Sequence, residues 1–474
     1  MHTMRAMRET LERELKLDPS GSFALPALPG EPLEPRLFTS TYYDTPPRSL
    51  ARCGITLRRR VENGLSRWQL KLPRENARAE LEAPGGPAGP PPELESLLAA
   101  HLRYGSVEPV ATLRTRRVGV RVLAGDRRLA DVVLDSVDIL DSGHAAGAFA
   151  ELEVELVEGD EHDLERLSRV LRRAGAHRGN GTPKLMRVLD LEGEPPPDRK
   201  APDVEHLRFL LRRQLRELET WDPGVRLGGQ AEDLHRFRVA TRRARALIRA
   251  SRPLVGEQLA GLSNELKWLG GLLGPVRDLD VLIDHVRGLE PRLGADAAGA
   301  ALVVAALEAD RAAVRDTLVR ALATDRYLTL LDRFASDVRS LAAVDPGVRL
   351  VDVAKREAKK LRKAYKQLGP EPSDAALHRV RIKGKHARYA AELAALAEGK
   401  PLERVVDAVK KLQDVIGEHQ DAVVAEERVR RTARAKSALA AGRIVENERA
   451  RRRRSRAEVP AAWRRVRRAL DRAF

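Results

Sequence analysis

Two sets of residues in this chain have the types and spacing to act on anions. In the first set, polar and mostly ionisable side chains recur at even spacing, two or four positions apart: Glu12, Glu14 and Lys16; Arg58 and Arg60; Arg67, Gln69 and Lys71; Glu80 and Glu82; Arg114 and Arg116; Asp131 and Asp135; Glu151, Glu153 and Glu155. A period of two places each group on one face of a strand. Carboxylates gathered this way can hold hard divalent cations, and Arg or Lys beside them can hold phosphate oxygens. In the second set, His235, Arg238, Arg242 and Arg245 recur at helical spacing and continue to Arg249. Positions i, i+3, i+7 and i+10 share one helix face, and at a rise of roughly 1.5 Å per residue the stripe from His235 to Arg249 runs about 21 Å. That is a ruler for a long anion.

The stripe occurs twice. His378, Arg381, Lys385 and Arg388 repeat it at an offset of 143 residues. The same offset relates Leu266-Lys267-Trp268-Leu269 through Gly274 and Asp278 to Val409-Lys410-Lys411-Leu412 through Gly417 and Asp421, and Arg212, Arg213 and Arg216 to Lys355, Arg356 and Lys359. Several matches at one spacing indicate a duplicated unit. No acidic residue interrupts Arg236 to Arg249 or Arg379 to Arg388. Cations on a solvated helix face usually have acidic partners one turn away, so rows this dense favour an anionic partner over a bare surface. For His235, His378, His386 and His419, phosphate donation or a buried hydrogen bond is favoured over metal ligation, because no cysteine or compact ligand spacing accompanies them.

The elements that must position these residues are legible in pattern and charge. Residues 1–200 hold 30 Lys+Arg against 31 Asp+Glu, which leaves 56 against 38 of the chain's 86 and 69 for residues 201–474. The excess of cations therefore lies in the second part, and it points to a polyanion, whether nucleic acid, anionic membrane or polyphosphate. Period-2 segments separated by Gly and Pro clusters predict an antiparallel all-β domain over residues 1–193, with one helix at about Asp163 to Ala174. Carboxylate-rich faces near its ends and Arg/Lys-rich faces between suit a closed barrel with a polar lumen. The Pro-rich stretch 194–200 reads as a stiff linker. Long Ala/Leu/Arg/Glu segments with short Gly/Pro breaks then predict an all-α domain over 201–474, in two halves of about 201–345 and 346–474. The single Cys53 fits a reducing cytosol. No run of 18 apolar residues and no apolar leader occur, so neither a membrane span nor a secretory signal is expected; Met1, Met4 and Met7 are alternative starts.

The ordered set Glu12-Arg13-Glu14-Leu15-Lys16, Tyr42-Tyr43-Asp44-Thr45-Pro46, Leu57-Arg58-Arg59-Arg60, Gln69-Leu70-Lys71, Glu151-Leu152-Glu153-Val154-Glu155 and Pro183-Lys184 resembles the CYTH family, the triphosphate tunnel metalloenzymes. The resemblance covers nearly all of residues 7–192. It implies hydrolysis of inorganic triphosphate or a related linear triphosphate, with Mg2+ or Mn2+ as cofactor. By that resemblance Glu12, Glu14, Glu151 and Glu153 bind metal, with Asp135 holding metal or orienting a basic residue. Lys16, Glu12, Glu14 and Glu153 are then catalytic, and Arg58, Arg60, Lys71, Arg114, Arg116 and Lys184 grip phosphates. Glu155 and Asp131 are expected to be structural.

The repeats resemble the CHAD domain, the conserved histidine alpha-helical domain. The carrying residues are His235 with Arg238, Arg242, Arg243 and Arg245; Arg277-Asp278-Leu279-Asp280; His378 with Arg381, Lys385, Arg388 and Tyr389; and Leu412-Gln413-Asp414 through Gly417-Glu418-His419-Gln420-Asp421. This implies two four-helix-bundle-like halves whose basic faces line a groove for inorganic polyphosphate. The polyphosphate ligands would be His235, Arg238, Arg242, Arg245, His378, Arg381, Lys385 and Arg388, with Lys355 and Lys359, and the expected location would be cytoplasmic, where such a domain could associate with polyphosphate granules. The rival from another class is a non-catalytic polyanion or nucleic-acid binder with a degenerate barrel. Scarce aromatics and the absence of a helix-turn-helix or RNA-binding signature disfavour nucleic acid, and the retained carboxylates disfavour degeneracy. Within enzymes, adenylate cyclase and thiamine triphosphatase are the alternatives.

Overall fold

The computed structural model describes residues 7–75, 77–179, 183–191 and 193–474. Met1, Met4, residues 180–182 before Lys184, and Glu192 before the Pro-rich stretch lie outside the described residues. The chain divides into two compact units, Met1–Glu194 with Asp222–Leu227, and Pro195–Trp221 with Gly228–Phe474.

The first unit is built on β1 (Arg8–Glu12), β2 (Glu14–Pro19), β3 (Gly30–Asp44), β4 (Thr56–Glu62), β5 (Leu65–Pro73), β6 (Arg78–Pro84), β7 (Glu108–Ala124), β8 (Arg127–Asp141), β9 (His144–Leu156) and β10 (Ala176–Arg178). Short helices α1 (Ser49–Arg52), α2 (Pro92–Leu97), α3 (Ala99–Leu102), α4 (Glu161–Arg173) and α5 (Lys184–Leu189) accompany them. All ten strands form one antiparallel sheet in the order β1-β6-β5-β4-β3-β7-β8-β9-β2-β10. The expected barrel closed by hydrogen bonds is therefore not what the ladder forms. Among the described residues no pairing joins β1 to β2; instead these two are consecutive in the chain, separated by Arg13 alone. A strand that must serve both ends of a sheet has to change partners, and the break at Arg13 is where it does so.

Turn chemistry sets the register of the site strands. Asn63 and Gly64 (φ 49° and 76°) join β4 to β5, and Ser142 and Gly143 (φ 49° and 88°) join β8 to β9. Two positive φ values in a two-residue loop match the twist of the hairpin and pin it. The pairing Arg58↔Gln69 follows from the first turn, and Asp135↔Glu151 from the second together with a one-residue bulge between Ile139 and Leu140. The apolar residues alternating with the charges lie on the opposite face, where Leu57, Trp68, Leu70 and Leu81 pack with Leu94, Leu97 and Leu98 of the α2–α3 region. Leu17, Val132, Leu152 and Val154 pack with Leu164, Leu167 and Leu171 of α4. Each fully buried Leu contributes about 1.5–3 kcal/mol, which offsets the cost of crowding ionised groups on the other face.

The second unit is helical: α6 (Asp203–Leu227, whose last turn falls in the first unit), α7 (Ala231–Val255), α8 (Ala260–Leu293), α9 (Ala297–Leu322), α10 (Asp325–Arg339), α11 (Leu350–Lys366), α12 (Asp374–Glu398), α13 (Lys400–Thr432) and α14 (Ala438–Ala473). The bounds of α7 and α12 differ by the repeat offset of 143 at both ends. α7 packs on α8 and α12, α12 on α11 and α13, and α9 on α8 and α14. Leu282, Ile283 and Val286 of α8, Leu307 of α9, Val429 of α13 and Ile444 of α14 share one core. No helix among the described residues is long and apolar enough to cross a membrane.

Candidate functional site

In the first unit the charged faces of the strands line a cavity of about 230 Å³. Glu12, Glu14 and Lys16 reach it from β1 and β2, Arg58 and Arg60 from β4, Lys71 from β5, Glu153 from β9 and Lys184 from the start of α5. Cross-strand pairing sets Lys16 opposite Glu153 and Glu14 opposite Glu155. One oxygen each from Glu14, Glu153 and Glu155 lies within 4.8 Å of the others. Three hard carboxylate donors converging this closely fit a divalent cation such as Mg2+ or Mn2+.

This acidic group differs from the expected one. Glu14 and Glu153 belong to it, and Glu155, expected to be structural, completes it. Asp135 is fully buried and accepts two hydrogen bonds from Arg117, one on each oxygen and each of 2.8 Å, and Lys184 Nζ lies 3.0 Å from Oδ2, the oxygen that also accepts from Arg117 Nη2. Orienting a basic residue is thus its visible task. Glu151 is buried and held by Lys184 and by Lys16 Nζ at 3.2 Å. Glu12 stands against a different wall, accepting from Lys71 Nζ at 2.6 Å and hydrogen-bonding Glu80. Burial and that carboxyl contact raise the Glu12 pKa to about 8, while Glu80, where the same contact, Lys71 and Arg58 outweigh burial, falls to about 2.

The basic wall also differs. Arg114 and Arg116 are exposed, and Arg114 pairs with Asp138 on the outer face. They are corrected by one residue: Arg117, in phase with buried Leu113 and Thr115, lines the cavity and donates to Glu153 at 2.7 Å. Arg114 and Arg116 resemble the paired cations of β4 in sequence, but the parity of β7 is set by Leu113 and Thr115. Arg58 donates to Gln69 at 2.7 Å and to the Tyr42 hydroxyl at 3.2 Å. Arg60 has no ion-pair partner among the described residues; its Nε is buried and unbonded. Burial, then Arg58 and Arg117, push its pKa down to about 9. A buried cation without a counter-ion is a place for an anion. Burial opposes ionisation of Glu153, but Lys184, Lys16 and Arg117 outweigh it and hold the carboxyl well below its usual range. Tyr42, Arg36, Arg78, Glu80 and Glu82 also line the cavity; strand parity in sequence could have assigned the last two. Asp44 of the Tyr42–Pro46 segment is structural, accepting from the amides of Leu50 and Ala51 at the start of α1.

In the second unit the two stripes come together where α7 packs on α12. Lys385 lies in the field of Arg381, Arg242, Arg238 and Arg388, and burial followed by these charges lowers its pKa to about 8. Arg238 is salt-bridged to Asp278 at 3.2 Å. The Nε atoms of Arg242, Arg245, Arg381 and Arg388 are buried without a hydrogen bond. A crevice of about 620 Å³ opens beside the stripes, lined by Arg242, Arg245 and Arg249 of α7, Lys383, Lys385 and His386 of α12, and Lys360 of α11. His235 is half-buried and His378 exposed; neither lines the crevice. Lys355 and Lys359 are a correction: Val353, Glu357 and Lys360 turn toward the crevice, so Lys355 and Lys359, two residues out of phase, are exposed on the far side of α11. His419 is buried and hydrogen-bonded to Asp374 at 2.9 Å.

Residues 10–185 match the CYTH domain family, and residues 209–430 match the CHAD domain family. Uncharacterized proteins of Mycobacterium tuberculosis strains CDC 1551 and H37Rv are each 33% identical over 458 residues, covering 88% of this chain and 88% of their own length. Among solved structures, PptA from Streptomyces chartreusis is 21% identical with a TM-score of 0.46, covering 56% of this chain and 100% of that one. The CHAD domain from the plant Ricinus communis is 25% identical with a TM-score of 0.45, covering 59% and 95%. A Hippeastrum protein described as having a dominant triphosphatase activity is 18% identical with a TM-score of 0.26, covering 39% and 98%. By its two matched domains and its full-length relatives, the chain belongs to the family of proteins that join a CYTH domain to a CHAD domain.

Proposed function

We propose that the first unit hydrolyses a linear triphosphate, inorganic triphosphate foremost, and that the second holds inorganic polyphosphate along the seam of α7 and α12. The observation that carries the reading is the lining of one cavity by three converging carboxylates, Glu14, Glu153 and Glu155, and by the unpaired cation Arg60. In this reading the sheet wraps the cavity as a tunnel whose ends join through Arg13, and domain limits fall near residues 193 and 201.

Glu14, Glu153 and Glu155 would hold the cation, and Mg2+ or Mn2+ bound there would neutralise phosphate charge and make a bound water more acidic. Arg58, Arg60, Lys71 and Arg117 grip the phosphate oxygens. Lys16 and Lys184, now bonded to Glu151 and Glu153, stabilise charge on the oxygens as the bridging P–O bond breaks. A water oxygen forms the new P–O bond, so triphosphate yields phosphate and pyrophosphate. Glu151 and Asp135 position Lys184 and Arg117.

In the second unit the stripe residues Arg238, Arg242, Arg245, Arg381, Lys385 and Arg388 offer fixed cations that a chain of phosphates would pair with as it sheds its counter-ions. The test is phosphate release from triphosphate, long polyphosphate, ATP and thiamine triphosphate with Mg2+ and Mn2+. Release from inorganic triphosphate above the other three is expected; equal inertness toward all four would overturn the reading.

A further inference from the structure

The duplicated halves have diverged in charge at one pair of equivalent places. At the repeat offset, Arg243 corresponds to His386, Arg249 to Glu392, Lys360 to Glu217, and Lys383 to Ala240. The structure keeps the equivalence spatially. Arg243 donates to Glu392, and its counterpart His386 lies in the field of Arg249, the counterpart of Glu392. Glu217 likewise acts on Arg243 as Lys360 acts on His386.

The consequence is electrostatic. Around Arg243 the cations Arg213 and Arg388 also act, and two carboxylates answer them: Glu392, which accepts from Arg243, and Glu217. Around His386 the same positions carry Arg249 and Lys360, and Lys383 replaces a methyl group. Glu357, the counterpart of Gln214, returns one negative charge, pairing with Lys360 at 2.6 Å and lying 3.8 Å from His386. Arg249 and Lys383 have no ion-pair partner among the described residues. The crevice of about 620 Å³ lies on the His386 side.

We infer that the helical unit binds a condensed phosphate chain asymmetrically: the chain leaves the shared seam of α7 and α12 through the crevice bounded by Arg249, Lys360 and Lys383, while at the equivalent exit Arg243 is engaged by Glu392 and the remaining cations are partly offset by Glu217. This rests on the polyphosphate reading of the seam and adds a direction to it. A chain long enough to span the seam gains further contacts on one side only, so the crevice matters for long chains and little for short ones.

The experiment titrates the full chain with inorganic polyphosphate of defined lengths, from triphosphate to chains of about a hundred phosphates, at several salt concentrations. Arg249→Glu with Lys360→Glu is compared with Arg243→Gln, and melting temperatures verify folding. The first variant is expected to weaken long-chain binding by tenfold or more, with the salt slope falling by on the order of one unit per cation removed. Arg243→Gln should change it less than twofold. The converse pair Glu392→Arg with Glu217→Lys should tighten long-chain binding by opening the second exit. Equal losses from Arg243→Gln and from the double reversal, or no loss from the reversal while the unaltered protein binds, would overturn the asymmetry. Failure of the unaltered protein to bind polyphosphate at all would instead remove the underlying reading, and the inference with it.

Discussion

Arg117 and Asp135 face each other across β7 and β8 and form a two-point ion pair, Nε to Oδ1 and Nη2 to Oδ2, both at 2.8 Å, with Asp135 fully buried. This pair aims a guanidinium at the cavity and leaves its Nη2 on Glu153 at 2.7 Å. Replacing Asp135 with Ala removes the two-point partner of Arg117 and leaves it Glu153 at 2.7 Å and Glu155 at 3.4 Å, so the cost should be about 3 kcal/mol of stability, the low end for a broken buried pair; chemical denaturation measures it. Asp135→Asn keeps the volume and should raise KM for triphosphate more than it lowers kcat. Arg114→Ala, on the outer face, should change neither.

Arg117→Ala should lower kcat/KM for triphosphate by about 10²–10³, the effect of removing one preorganised charge donor. Arg116→Ala serves as the neighbouring comparison, and steady-state kinetics separates the two. Equal effects would place the working face of β7 on the other parity.

Glu12 predicts a pH dependence of stability in the absence of divalent cations. Its folded pKa of about 8 lies above the ordinary 4.5, so the native state holds a proton that the unfolded chain has lost between these values. The stabilisation is fully present below pH 4.5 and is lost as pH rises through 8. Glu80, shifted the other way to about 2, acts below pH 4.5 and leaves that window alone. Thermal melts of chelated protein from pH 5 to 8.5 should show a declining melting temperature, and Glu12→Gln should flatten the decline.

Lys385 predicts a pH dependence of binding. With a pKa of about 8, it is charged at pH 7 and neutral at pH 9.5, so polyphosphate affinity should fall across that range as one cation is lost. Lys385→Arg, whose guanidinium stays charged, should remove the fall. Reversing Arg238 and Arg381 to Glu should weaken binding in a salt-dependent manner without slowing release from triphosphate.

The family and the helical repeat were legible because local signals carry them: the offset of 143 residues relates α7 to α12 at both ends, and short motifs in order mark the strands. Face assignment failed where a choice depended on tertiary packing. Arg114, Arg116 and Arg117 are adjacent cations, and only the burial of Leu113 and Thr115 decides which points inward. Lys355 and Lys359 are separated from Lys360 by the phase of α11, which Val353 settles by facing the crevice. Glu155 joins Glu14 and Glu153 because β2 and β9 pair in one register, a fact between strands that no single segment records. The open ladder was hidden for the same reason, since partner exchange at Arg13 is a property of β6 and β9 as much as of β1 and β2.

If Glu14, Glu153 and Glu155 make one cation site serving triphosphate hydrolysis, losing one of the three carboxylates must stop the reaction. The most direct test is the initial rate of phosphate release from inorganic triphosphate with Mg2+ for the unaltered protein and Glu153→Gln, with polyphosphate affinity measured on the same samples. Mg2+-dependent release that the substitution abolishes, with affinity for polyphosphate unchanged, is the expected result. Release that persists in Glu153→Gln, or that ignores Mg2+ in the unaltered protein, would contradict the shared cation site.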